Sequence, residues 1–382
     1  MADRVMRFES DSRQARRRHG HIMVISRSPY RISFFGGGTD YPAWFRENGG
    51  AVLGTAIDKY CFITCRYLPP FFEHRLRLVY SKIEDCQCAA DIQHPVVRTV
   101  LEMLRVERGL EIHHDGDLPA RSGMGSSSAF TVGFLHAVYG LLGRLTSQNQ
   151  LATDAIHVEQ DLIGETVGSQ DQIFAAYGGF NRIEFKRDNS FRVEPVPLSR
   201  KRFEELNDSL MLFYTGLRRT ASEVAASYVV DIGARTRQLT RMRQMVDEGL
   251  QILADGGSLD RFGDLLDEAW QLKRSLSGAV SNSQVDEIYA EARRAGARGG
   301  KLLGAGGGGF LLFYVPPGCQ QQVKERLRNL LWVPFRFDTS GSQIIFFSPG
   351  QDYAELDQAR SAQAGPAFRE VFPPEGASGK QT

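Results

Sequence analysis

The sequence predicts an α+β fold in two domains, and three observations carry that expectation. The chain has 382 residues, a length that suggests two domains or one large domain with insertions. Strand-like apolar runs dominate the first half, whereas a long helical region follows Pro197. Glycine is also in excess, at 39 of 382 residues, against roughly 7% in an average protein. Much of that excess is clustered, which suggests backbone sites rather than linkers. The expected division is a disordered tail over 1–21, a first domain over 22–200, a second over 201–350 and a polar C-terminal tail over 351–382. The boundary itself falls between 197 and 208.

Residues 22–28 and 31–35 are apolar, β-rich runs parted by Ser28-Pro29. Proline cannot donate to a sheet, so Pro29 marks an edge or a bend. Gly36-Gly37-Gly38-Thr39-Asp40-Tyr41-Pro42 follows. Three glycines free the backbone for a tight turn, and Pro42 suits the first turn of a short helix ending at Asn48. Strands are expected over 51–57, 61–67 and 75–80, then a helix over 96–106 and a strand over 110–114. A helix over 130–142 is entered through a Gly/Ser turn, and a second helix covers 150–163. Two runs, 180–185 and 191–196, form a hairpin around Asp188-Asn189. Beyond a strand at 210–214, helical spacing recurs over 223–231, 237–254, 259–276 and 285–295. Strands at 301–303, 310–315 and 344–347, with an amphipathic helix over 320–331, complete the chain.

Composition narrows the function. Apolar content of 42% and charged content of 24% are those of an ordinary globular protein. A net charge of +1 gives no overall field for nucleic acid or membrane. Arg16-Arg17-Arg18 therefore reads as a solvated charge run, with a nucleic-acid arm the unfavoured alternative. No apolar run reaches the roughly 18 residues that span a bilayer, and the Arg-rich start lacks the apolar core of a signal peptide. The five cysteines, an odd count, fit a reduced, cytoplasmic compartment. Cys86-Gln87-Cys88 has no second ligand pair at zinc spacing.

The chain is organised around Leu118-Pro119-Ala120-Arg121-Ser122-Gly123-Met124-Gly125-Ser126-Ser127-Ser128. Gly123 and Gly125 lack a Cβ, so the backbone can bend sharply and approach a ligand. The helix that follows offers unpartnered N–H groups and a favourable dipole to an anion. The hydroxyls of Ser126, Ser127 and Ser128 could reach phosphate or a metal ion; an ordinary N-cap is the plain alternative. Lys301-Leu302-Leu303-Gly304-Ala305-Gly306-Gly307-Gly308-Gly309 spells G-x-G-x-x-G, but the strand Phe310-Leu311-Leu312-Phe313 follows it. A dinucleotide fold needs a helix there, so that function is excluded on context. No G-x-x-x-x-G-K-[ST] occurs, which disfavours a P-loop NTPase. What remains is a glycine-lined wall between two strands, or a tight structural hairpin. Asp40 is either a helix cap, as local sequence favours, or a hydroxyl-binding carboxylate. An anion cradle, an Asp-bearing turn, a helix with Glu159 and Asp161, and a glycine wall are parts that phosphoryl transfer requires.

Three of these segments resemble the signature motifs of the GHMP kinases, the superfamily of galactokinase, homoserine kinase, mevalonate kinase and phosphomevalonate kinase. Pro119-x-x-x-Gly123-Met124-Gly125-Ser126-Ser127 resembles the central phosphate loop, with Met124 for the usual Leu. Arg27-Ser28-Pro29-Tyr30-Arg31 resembles the first motif and 304–309 the third, in the expected order over 23–348. Gly36-Gly37-Gly38-Thr39-Asp40-Tyr41 and Gly168-Ser169-Gln170-Asp171-Gln172 look most like the sugar 1-kinases that act on D-glycero-D-manno-heptose 7-phosphate; fucose kinase domains are similar.

The resemblance implies an N-terminal α/β domain like ribosomal protein S5 domain 2, and a ferredoxin-like C-terminal domain with added helices. It also implies roles. Asp171 corresponds to the catalytic aspartate that orients or deprotonates the acceptor hydroxyl, and Arg31 to the basic residue that stabilises the transferred phosphate. Gly123, Met124, Gly125, Ser126, Ser127 and Ser128 would hold the ATP phosphates. Ser127 and Glu159 correspond to Mg²⁺ ligands, with Asp161 an alternative one helical register away. Thr39 and Asp40 match the Thr-Asp-Tyr that grips sugar hydroxyls, with Gly38 and Gly179 beside them, which reverses the local preference for a cap at Asp40. Gly304, Gly306, Gly307 and Gly308 form the glycine wall. Galactokinase carries Gly-Glu-His before Thr-Asp-Tyr where this chain has Gly36-Gly37-Gly38, so the galactose pocket is altered.

The expectation is therefore an ATP- and Mg²⁺-dependent kinase of the anomeric hydroxyl of D-glycero-D-manno-heptose 7-phosphate, serving nucleotide-activated heptose for surface glycans. Its partners would be ATP and a sugar phosphate, with no nucleic acid and no membrane, and a homodimer left open. A kinase of fucose or galactose type is the alternative within the class. A catalytically inactive nucleotide- or sugar-phosphate-binding regulator is the alternative outside it, against which Asp171, Arg31 and Ser127 argue.

Overall fold

A computed structural model describes residues 23–349 apart from 70, 121, 218–223, 225–226, 228 and 230–231. The expected tails over 1–21 and 351–382, and most of the expected helix over 223–231, lie outside the described residues.

The first sheet is built on two long antiparallel strands, β1 (Met23–Phe35) and β2 (Gly50–Tyr67). The sequence breaks each into two runs, but both continue as single strands. The pairing register shifts between Pro29 and Tyr30, where Asp58 and Lys59 have no partner on β1. This bulge accommodates a residue that has no N–H for the ladder. Helix α1 (Pro42–Asn48) bridges the two strands. The hairpin β3 (Leu76–Val79) and β4 (Ile83–Cys86) follows, then α2 (Pro95–Leu104) and β5 (Leu110–Gly116). Strand β5 pairs with β2, and β3 runs parallel to β5.

Helix α3 (Ser126–Leu141) packs across β1 and β2. Twelve of its residues are buried, so it is apolar almost all round and lies inside the fold rather than on it. Helix α4 (Gln148–Ile156) continues into one π-helical stretch over His157–Leu162, and α5 (Gln170–Tyr177) packs beside it. The expected hairpin is β6 (Phe180–Phe185) with β7 (Phe191–Pro195), and β6 pairs with β2.

After α6 (Arg200–Asp208), β8 (Leu210–Tyr214) opens the second sheet. Helices α7 (Thr236–Ala254), α8 (Asp260–Arg274) and α9 (Ser283–Arg294) fall where the periodicity put them. Strands β9 (Gly299–Leu302) and β10 (Phe310–Tyr314) flank the glycine turn. Helix α10 is short, Gln320–Arg326, because Leu331–Val333 is drawn off as edge strand β11 against β8. The second sheet has the order β11-β8-β10-β9. The chain then returns: β12 (Phe337–Asp338) pairs with β2, and β13 (Gln343–Ser348) pairs with β1. A single cut near residue 200 therefore does not separate the two sheets.

Candidate active site

Arg31 and Asp171 form the centre of the site. The guanidinium Nε and Nη2 donate to the two carboxylate oxygens at 2.7 Å each, a bidentate fork. Arg31 Nη1 donates to the Gly123 carbonyl at 2.8 Å, and its backbone N–H to the Met124 carbonyl at 3.1 Å. One arginine thus fixes both the carboxylate and the glycine turn. A Cβ at Gly125 would lie 3.4 Å from Asp171 Oδ2, so the carboxylate sits directly against that turn. The Arg31 side chain is 5% exposed and that of Asp171 25%, the open side facing a cleft lined by both.

The turn has the conformation that its glycines permit. Gly123 and Gly125 hold φ values of +82° and +75°, a region that residues with a Cβ rarely adopt. Gly125 is the N-cap of α3, and Ser126, Ser127 and Ser128 line the cleft from the first turn of the helix. The N-terminal end of α3 therefore presents donors and a positive dipole end to the same space as Asp171. Two members of the expected set are placed otherwise. The Met124 side chain is buried in the core, leaving only its backbone at the turn. Ser128 Oγ donates to Glu159 Oε2 at 2.9 Å.

Glu159 is fully buried and accepts from Ser128, from Thr131 Oγ1 at 2.6 Å and from Gln172 Nε2 at 2.5 Å. Burial outweighs these bonds and pushes its carboxyl up to about 7. Asp161 instead pairs with His157 on the surface, so Glu159 is the acid that approaches α3. Among the described residues no group of three or more His, Cys, Asp or Glu side chains could hold a metal ion. Magnesium bound with phosphates takes only one or two protein oxygens, keeping water for the rest. The Ser127 hydroxyl fits that donor set, whereas Glu159, expected as a second ligand, does not line the cleft and its oxygens are taken by Ser128, Thr131 and Gln172.

Asp40 also lines the cleft. Its Oδ1 accepts the Gly38 N–H and its Oδ2 accepts Gln170 Nε2, both at 2.8 Å. It is not a helix cap: Tyr41 occupies that position. Burial first, and then the Asp171 charge, raise its carboxyl above the ordinary value. Gly168 supports it, since a Cβ there would fall 1.9 Å from Asp40 Oδ2. Thr39 does not face the cleft. Its hydroxyl accepts the Ala51 N–H at 3.1 Å and lies 2.8 Å from the Gly36 carbonyl, pinning the turn to β2. Gly179 is also outside the cleft, exchanging backbone hydrogen bonds with Asp338 and Ala56.

The glycine wall meets the phosphate turn backbone to backbone. A Cβ at Gly304 would lie 2.4 Å from the Gly123 Cα, and one at Gly123 would lie 2.5 Å from the Leu303 carbonyl. Of the four expected wall residues only Gly304 lines the cleft. Gly306 packs on the Val280 carbonyl and Gly308 on that of Leu217, while the Gly307 N–H donates to Val280. The far half of the wall joins elements of the second lobe and does not line this cleft.

Two lysines in the cleft escaped the sequence analysis. Lys273, on α8, donates to the carbonyls of Leu302 (3.0 Å) and Gly304. Lys301, at the end of β9, donates to the Phe34 carbonyl at 2.8 Å. Burial lowers the Lys273 ammonium to about 7, with the Arg31 charge adding to the effect; Lys301 is lowered well below its ordinary value by burial and by Lys273. The signal for Lys273 was its place on the apolar stripe Phe262, Leu266, Ala269, Lys273, Leu276. A charged residue there is rarely buried without a purpose.

Comparison with known proteins agrees with this geometry. The GHMP kinases N terminal domain family matches residues 92–179, and the GHMP kinases C terminal family matches 250–331. D-glycero-alpha-D-manno-heptose 7-phosphate kinase of Campylobacter jejuni is 28% identical over 322 residues, 80% of this chain and 93% of that protein. A mevalonate kinase of Methanothermobacter thermautotrophicus is 31% identical, over 63% of this chain and 78% of its own. The crystal structure of a D-glycero-D-manno-heptose 1-phosphate kinase from Bacteroides thetaiotaomicron superposes with a TM-score of 0.69 at 24% identity, covering 84% of this chain and 98% of that one. The chain belongs to the GHMP kinase family and is a phosphotransferase with an alcohol group as acceptor.

Proposed function

We propose that this protein is an ATP- and Mg²⁺-dependent sugar 1-kinase that phosphorylates the anomeric hydroxyl of D-glycero-D-manno-heptose 7-phosphate, giving the 1,7-bisphosphate. The observation that carries the proposal is the Asp171 carboxylate, held by Arg31 against Gly125 at the mouth of α3. The similarity to a heptose 7-phosphate kinase over most of both chains points to the substrate.

A sugar hydroxyl is a weak nucleophile at neutral pH, and a carboxylate within hydrogen-bond reach removes its proton as the new bond forms. In this site the acceptor O–H would donate to Asp171, whose oxygens keep lone pairs beyond the Arg31 fork. The acceptor oxygen bonds to the terminal phosphorus of ATP. The bond to the bridging oxygen breaks, its electron pair leaves with ADP, and the proton stays on Asp171. Arg31 and the N-terminal end of α3 offset the charge on the transferring group. Asp40, fixed by Gly38 and Gln170, would accept from a second sugar hydroxyl. Mg²⁺, when bound with the nucleotide, neutralises phosphate charge; Ser127 would hold it.

ADP release across heptose 7-phosphate, heptose, fucose, galactose and mannose tests the proposal. Turnover highest on heptose 7-phosphate is the expected result, and turnover on fucose or galactose alone would replace the substrate. ATP binding with no turnover on any sugar would move the reading to an inactive regulator.

A further inference from the structure

The Arg31–Asp171 pair leaves two buried ammonium groups unexplained. Lys273 is 8% exposed and Lys301 4%, and both line the cleft. Among the described residues neither has a carboxylate in hydrogen-bond contact; their partners are backbone carbonyls. A buried charge without a counter-ion is costly. The nearby acids act on the lysines through space without contact: Asp171 is bonded to Arg31, and Asp40 to Gly38 and Gln170.

Lys273 is placed at the junction of the two lobes. It grips the carbonyl of Gly304, the residue whose backbone abuts Gly123 of the phosphate turn. An ammonium has three N–H donors, so at least one remains beyond the carbonyls of Leu302 and Gly304. Leu276, one turn further along the chain, lines the cleft with it, as does Lys301.

We propose that Lys273 is a phosphoryl-binding residue that reaches the cleft from the second lobe, with Lys301 lining the same cleft. The inference rests on the kinase reading above. The phosphoryl group is either the one in transfer from the nucleotide or the one already on the sugar phosphate. The same ammonium holds Gly304, so phosphate binding and docking of the glycine turn onto Gly123 are coupled through one side chain.

Steady-state kinetics of the full-length Lys273→Met enzyme test this on a phosphorylated sugar and its unphosphorylated counterpart. The expected result is a fall in kcat of about 100-fold with the nucleotide KM changed by less than about threefold. Loss on both sugars assigns the transferring phosphoryl group; loss confined to the sugar phosphate assigns the acceptor's own phosphate. Lys273→Arg is expected to restore at least about a tenth of wild-type kcat, because it keeps the charge. Unchanged kcat on both sugars, or a rise in nucleotide KM alone, overturns the proposal. Should the Met variant not fold, the Lys273 ¹³Cε resonance of the wild-type enzyme decides. It shifts on addition of ADP with aluminium fluoride, or of the sugar phosphate, if the proposal holds, and a resonance that neither addition moves overturns it. Wild-type enzyme with no turnover on any sugar would sink the substrate assignment, yet that resonance would still report on Lys273.

Discussion

Arg31 grips both oxygens of Asp171 while its third nitrogen holds the Gly123 carbonyl. The residue that orients the proposed base therefore also sets the phosphate turn, so the two cannot drift independently. Asp171→Asn is expected to lower kcat by about 10²- to 10⁴-fold, with nucleotide affinity nearly unchanged. Arg31→Lys keeps the charge but loses the fork, and is expected to lower kcat as well. Near-normal turnover by Asp171→Asn would remove Asp171 as the base.

The Gly304–Gly123 contact has no room for a side chain. Gly304 has a φ of +72°, and its Cβ would lie 2.4 Å from the Gly123 Cα. Gly304→Ala is expected to push the two lobes apart and raise the nucleotide KM at least about tenfold. Gly318→Ala is the control, because a Cβ there meets nothing within 4 Å. Equal nucleotide KM values for the two variants would show that the contact does not shape the site.

In the proposed reading Asp40 serves the acceptor rather than the nucleotide. Asp40→Asn preserves its size and is expected to raise the acceptor KM by about tenfold while the nucleotide KM stays put. Gly168→Ala should do the same while leaving the carboxylate chemically intact, since the new methyl carbon would fall 1.9 Å from Oδ2 and displace it. Isothermal titration with the sugar alone is a second check; undiminished affinity in both variants would exclude Asp40 from the acceptor site.

Glu159 makes stability depend on pH. Its folded value of about 7 lies above the ordinary 4.5, so the native state retains a proton that the unfolded chain has released. The associated stability is present in full below the unfolded value and is lost as pH rises through about 7. Between about pH 5.5 and 8.5, wild-type protein should lose about 2 kcal/mol relative to Glu159→Gln. Urea unfolding of both proteins without nucleotide at the two pH values measures it. A constant difference would mean that Glu159 is charged throughout.

Much of the fold was legible in the amino-acid sequence. Helices α7, α8 and α9 announced themselves by apolar spacing, because each buries one stripe against a sheet. The glycine turn followed from residues that serve backbone geometry, and the place of Asp171 beside it was what the family resemblance implied. Local sequence favoured a cap at Asp40, but Tyr41 takes that position and Asp40 lines the cleft.

Other features depend on residues distant in sequence. Pro29 looks like a strand break until β2 supplies the bulge opposite it. Strands β12 and β13 look like the end of the second domain until β1 and β2 pair with them. Thr39 reads as a sugar ligand, yet the Ala51 N–H and the nearby Gly36 carbonyl engage its hydroxyl. Local sequence determined where the backbone can bend and which faces are apolar, since those properties belong to a few neighbouring residues. Tertiary structure alone decided which polar atoms remain to meet a ligand, because hydrogen bonds and burial are set by partners brought from elsewhere in the chain. Lys273 shows the difference: its helix was evident from periodicity, but its nearness to Gly304 and the cleft came only with packing.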